Sequence, residues 1–147
     1  MKLELERPFP VNRIHWRVGA TTRDGKKGIA LAYIDARDVM HRLDEVCGIG
    51  GWQNRYPFPG CCEIGIELPE GWIWKAHGAG ETNVEGEKGQ YSDAFKRAGV
   101  MWGLGRYLYA LPNVWVPLEN KRILTPPELP EWATPEGFDK IMEKRNA

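Results

Sequence analysis

The chain has 147 residues, 42% of them apolar, and its 20 basic and 20 acidic side chains cancel to a formal charge of zero. That size fits one domain with a core of its own and leaves little room for two. No apolar run approaches the roughly 20 residues of a membrane span, residues 1–10 (MKLELERPFP) lack a secretory apolar core, and a neutral total argues against coating duplex DNA by bulk charge.

Taken in order, residues 14–19 (IHWRVG) alternate as a strand does. Residues 21–28 (TTRDGKKG) form a glycine-containing turn into a second strand, 29–34 (IALAYI). The result is a hairpin with a basic tip. Asp35 is placed to cap a helix in which Val39, Leu43 and Val46 repeat at helical spacing, about three turns ending near Cys47 before Gly48, Gly50 and Gly51. Charge is uneven here. From residue 12 to 42 seven cations (Arg13, Arg17, Arg23, Lys26, Lys27, Arg37, Arg42) face three acids (Asp24, Asp35, Asp38), and the balance reverses from Asp44 to Asp93.

Residues 52–58, 62–68 and 72–78 read as three short strands divided by Pro57, Pro59 and the turn 69–71 (PEG). An antiparallel meander backed by helices, an α+β fold, is the simplest packing. Residues 80–89 (GETNVEGEKG) read as a mobile acidic loop. Residues 90–108 (QYSDAFKRAGVMWGLGRYL) then read as one long central helix, apolar around most of its circumference yet carrying Lys96, Arg97 and Arg106. Tyr91, Ala94, Phe95, Ala98 and Trp102 form one apolar face, with Val100, Leu104 and Tyr107 opposite. Gly99 and Gly103 would leave a narrow groove on it. Two apolar faces ask for a second cover, from the tail or from a neighbouring subunit.

After Pro112 the pattern shifts to a proline-rich segment with five prolines from Pro117 to Pro135. It reads as an extended arm carrying Trp115, Leu118, Ile123, Leu124 and Trp132 into shallow pockets, followed by a short helix over 135–144. The expected division is a core domain, 1–111, and this arm, 112–147.

Chemistry-bearing constellations are sparse. Cys47, Cys61 and Cys62 cannot all pair within the chain and read as reduced, mostly buried residues. No CxxC occurs, and His15, His41 and His77 lack ligand spacing, so neither metal nor cofactor is expected. No phosphate loop GxxxxGK[ST] is present, and Ser92 beside Asp93 has no identifiable histidine partner. The acids from Glu63 to Glu87 leave a metal-dependent nuclease as the remaining catalytic reading, without a compact cluster to carry it. The chain reads as a non-enzyme.

Two stretches carry a family resemblance. Residues 32–52 (AYIDARDVMHRLDEVCGIGGW) resemble the core of the Rad52 family of single-strand annealing proteins, where a strand leads into a helix closed by a glycine loop and a tryptophan. Residues 91–109 (YSDAFKRAGVMWGLGRYLY) resemble the family's principal helix with its Lys-Arg pair. The likeness spans residues 14–111. It implies a sheet-and-helix core that assembles into rings or filaments, holds single-stranded DNA in an outer groove and anneals complementary strands without nucleotide hydrolysis, in recombination and repair. It also implies a cytoplasmic, nucleoid-associated place in a bacterial or phage-infected cell, self-association and contacts with other recombination proteins. With no long recombinase-loading tail, an annealing-only role resembling compact bacterial or phage relatives is expected. The carboxyl segment has no counterpart in the likeness.

The family's groove cations map onto Lys96 and Arg97 and, on the first strand, Arg17. Helical geometry splays Lys96 and Arg97 by about 100°, so one can meet phosphate while the other bridges to a neighbour, although both could equally line a solvated face. Arg17 has two readings, phosphate contact and plain exposure, with Trp16 turned the other way. Arg13, Arg23, Lys26 and Lys27 either extend a basic track around the hairpin or solubilise its tip. Arg106 reads as an ion-pair former. Asp93 suits the helix dipole or a neighbouring base. Trp52, Trp72, Trp74 and Trp102 read mostly as core, and Tyr91 and Tyr107 as packing or stacking groups. The competing function is an oligomeric structural or interaction module without DNA affinity.

Overall fold

The computed structural model describes residues 1–78 and 87–146, and the side chains of all of these but 87 and 88. The chain divides into two compact units, Met1–Arg7 with Asp35–Arg106, and Pro8–Ile34 with Tyr107–Ala147.

In the first unit, helix α1 (Lys2–Glu6) lies against helix α2 (Ala36–Cys47). α2 starts where the Asp35 backbone N–H donates to Asp38 Oδ2 at 3.2 Å, and it stops at Gly48, whose φ of 79° reverses the chain. Val39 and Leu43, one turn apart, are completely buried. The buried Arg42 guanidinium donates to the Glu4 carbonyl at 3.1 Å and to the Arg7 carbonyl at 2.7 Å, tying α1 down. Strands β3 (Trp52–Arg55), β4 (Cys61–Leu68) and β5 (Gly71–Gly78) form the expected antiparallel meander in that order. Cys62, Ile64 and Ile66, every second residue of β4, are fully buried. Helix α3 (Glu87–Met101) packs against β4 and β5 and buries Ala94, Phe95 and Ala98. Gly99 lets α2 come close, since a Cβ there would sit 3.1 Å from Val39 Cγ1.

The expected helix over 90–108 is shorter in fact. It ends at Met101, and the chain turns through Gly103 (φ 99°) and Gly105 (φ 73°) into a 3-10 turn over Arg106–Ala110. Glycine enters such angles at little steric cost, and two of them in three residues end a helix. Leu104 folds back, its N–H donating to the Gly99 carbonyl at 3.0 Å, and is buried at 1% exposure. The opposite apolar face and the Gly99–Gly103 groove therefore do not exist as helical features. The acidic loop falls mostly outside the described residues, except that Glu87–Gly89 begin α3.

In the second unit, β1 (His15–Thr21) and β2 (Lys27–Tyr33) form the hairpin, with Trp16 opposite Ala32 and Val18 opposite Ala30. The segment expected to run as an arm instead builds strand β6 (Val114–Glu119), whose Trp115 pairs with Ile29 of β2. Trp115 and Leu124 stay about half exposed, Leu124 lining an open hollow with Ile123 beside the β6-β7 turn. β6 returns through a two-residue turn, Asn120–Lys121, into β7 (Arg122–Ile123), giving the sheet order β1-β2-β6-β7. Helix α4 (Pro135–Asn146) closes the described chain, two residues longer than expected.

Candidate nucleic-acid interface

Strand alternation and turn chemistry place the hairpin cations. Arg13 ends a 3-10 turn just before β1; Arg17 lies on β1; Arg23, Lys26 and Lys27 ring the tip, and all five are exposed. The only acid from residue 11 to 28 is Asp24, itself exposed and held by the turn. Its carboxylate accepts from the Thr22 hydroxyl at 2.7 Å and from the Lys26 N–H at 3.0 Å, with Gly25 at φ 71° completing the turn. The Thr22 hydroxyl, then the Lys26 amide, hold its pKa below the ordinary carboxylate value. The turn thus fixes the Asp24 carboxylate in place, with five exposed cations around it.

In the first unit, Lys96 and Arg97 diverge on α3 as helical geometry requires, Lys96 half-buried and Arg97 exposed. Arg97 Nε lies 3.3 Å from Asp93 Oδ2 one turn earlier. Both partners are well exposed, and such surface pairs are worth about 0–1 kcal/mol, so a phosphate can take the guanidinium at small cost. The Lys96–Arg97 pair and the hairpin cations belong to different units.

Arg106 does not serve a groove. Its Nε and Nη2 donate to the Val100 carbonyl at 3.1 and 2.8 Å, and Nη2 also to the Met101 carbonyl at 3.0 Å, with Glu6 Oε1 at 4.0 Å. Lys75 adds a bond to the Met101 carbonyl at 3.3 Å while its ammonium lies 4.7 Å from the centre of the Trp102 ring. Two cations thus satisfy the open carbonyls at the negative end of α3.

The aromatic residues divide by strand face. Trp102 is half-buried and donates from Nε1 to the Ile64 carbonyl at 2.9 Å; Trp52 donates to Asp44 Oδ1 at 2.7 Å. Trp72 departs from the expected core role, being 38% exposed. Its neighbour Trp74 lies over Gly65, where a Cβ would come within 2.7 Å of the indole, and Arg55 covers that ring at 3.8 Å. Alternation puts Arg55, Glu63, Gly65, Trp72 and Trp74 on the face of the meander away from Ile64 and Ile66. Sequence reading missed this stack, although an Arg at the end of a strand and a Trp-x-Trp on another were visible signs. Tyr91 meets Tyr56 edge-on at 4.9 Å, and the Tyr107 hydroxyl accepts the Phe9 N–H at 3.0 Å, so both tyrosines pack.

Among the described residues no three His, Cys, Asp or Glu side chains gather as a metal site, and no helix is long and apolar enough to cross a membrane. All three cysteines are free, Cys62 buried and the others half-buried.

The family described as Rad52/22 family double-strand break repair protein matches residues 1–58 and 60–124. The single-stranded DNA-binding protein DdrA of Deinococcus deserti is 37% identical, the match covering 90% of this chain and 69% of that protein. DdrA of Deinococcus radiodurans is 35% identical, with 90% of this chain and 66% of that protein covered. The chain thus spans about two thirds of the length of these relatives. Matched along both units and both motif-bearing stretches, it belongs to the Rad52/22 family of double-strand break repair proteins.

Proposed function

We propose that this chain is a non-catalytic single-stranded DNA-binding protein that assembles with copies of itself and anneals complementary strands near the nucleoid. The observation that carries the reading is the β1-β2 hairpin: five exposed cations against a single acid, Asp24, whose carboxylate is held by the turn's own Thr22 hydroxyl and Lys26 N–H. Both relatives are named as single-stranded DNA-binding proteins. Annealing requires phosphates to be neutralised while base edges stay free for a second strand. Outward Arg and Lys side chains on a hairpin and on a helix suit that task. Lys96 and Arg97 serve the backbone from the first unit, and Arg13, Arg17, Arg23, Lys26 and Lys27 from the second.

The test is binding of a labelled single strand across a salt series, together with ATP-free annealing of complementary oligonucleotides. Wild type should bind with an affinity that falls steeply with salt. Replacing both Lys96 and Arg97 by alanine should weaken binding at least about tenfold, a loss of about 1.4 kcal/mol, with assembly intact. Wild-type protein that assembles but ignores single strands in dilute buffer would establish the structural-module reading instead.

A further inference from the structure

β1 and β7 stand at opposite ends of the second unit's sheet order, yet they lie against each other without strand pairing between them. The four-stranded sheet curls until its two ends nearly meet. An open groove of about 520 Å³ remains between them, within the roughly 300–1,000 Å³ of ligand-sized clefts. His15, Trp16 and Arg17 line one side, and Lys121, Arg122 and Pro126 the other. Three of its lining residues are cationic and none is acidic. In a chain of zero net charge that is a local selection for an anion.

A second observation points the same way. The β6-β7 turn has two residues, with φ of 52° at Asn120 and 64° at Lys121. Such a turn favours Asn followed by Gly, because both residues are left-handed. Asn120 follows the rule and Lys121 breaks it, standing where glycine is free of strain. A lysine kept at that position sets an exposed ammonium on the rim of the groove.

We propose that this groove is a track for the single strand, in which Lys121 and Arg122 join Arg17 in neutralising consecutive phosphates. The inference rests on the single-strand reading above and adds two contact residues and a location to it. Cations on both walls fit a repeating anion better than a lone one.

The experiment uses the whole chain with oligothymidylate and, in parallel, oligoglutamate. Lys121→Gly should leave the thermal midpoint unchanged or raised, since the turn then holds Asn-Gly. It should nevertheless weaken oligothymidylate binding about threefold or more and lower the salt slope by about 0.7, the share of one phosphate contact on single strands. The double variant Lys121→Gly, Arg122→Gln should lower the slope by about twice that. Wild-type affinity and slope in both variants would overturn the proposal. So would tighter binding of oligoglutamate that the same variants abolish, or a loss of DNA affinity accompanied by a changed mass in solution. If K96A/R97A loses binding and these variants do not, the groove assignment fails while the single-strand reading stands.

Discussion

Arg106 shows how a charge can be read correctly as structural and still be misplaced. An ion pair was expected of it, and Glu6 lies at the limit of one, but its main work is to hold two carbonyls at the end of α3. Arg106→Ala should therefore cost about 1–2 kcal/mol, seen as a lower denaturant midpoint, with Arg106→Lys recovering part of it. DNA affinity per folded molecule should be unchanged. Burial acts on Cys62 and Tyr56 in the opposite sense to solvent, pushing the thiol up to about 11 and the phenol up to about 12. Both groups bind protons more tightly folded than unfolded. Their contribution is complete below the ordinary thiol value of 9.0 and is lost as pH rises through about 11 and then about 12. Thermal midpoints should fall over that alkaline range, and a Cys62→Ala variant should fall less steeply. At pH 8, iodoacetamide on native protein should spare Cys62, which keeps its proton and is fully buried; rapid alkylation there would contradict this.

Among elements, those specified by local chemistry were legible and those specified by partners were not. The hairpin, the Asp35-capped helix and the three-stranded meander follow from alternation, a cap residue and proline breaks, and their bounds were anticipated within about three residues. Residues 114–119 hold a proline and looked like an arm, because nothing local announces that a strand will pair with β2 some eighty residues earlier; Pro117 is accommodated opposite Lys27 at the end of that pairing. The end of α3 was missed for a different reason. Gly103 and Gly105 sit among residues that suit a helix, and glycine at small intervals reads equally as a packing stripe or as a stop. Gly103→Ala separates the two. At φ 99°, with a Cβ 2.8 Å from Glu6 Cγ, it should destabilise the protein by about 1–3 kcal/mol, whereas a helical glycine would gain stability from alanine. Thermal or denaturant melting decides the sign. Of the candidate interface, the exposed cations were legible as residue types, but Lys121 and Arg122 were not, since the role proposed for them depends on a turn and a curled sheet.

For the molecule as a whole, the self-association proposed here predicts a solution mass several times that of one chain, measurable by light scattering, and retained when Lys96 and Arg97 are replaced. The interleaving of the two units carries a further consequence for how the protein is made. The first unit has its complete set of segments once Arg106 has been added, whereas the second starts at Pro8 and waits for Val114–Glu119. A nascent chain emerging from the ribosome therefore offers a basic hairpin whose β2 edge has no neighbour until more than eighty further residues have been translated. Premature termination between the two would release a species with one finished half and one sticky ribbon, the kind of product that chaperones and proteases recognise first.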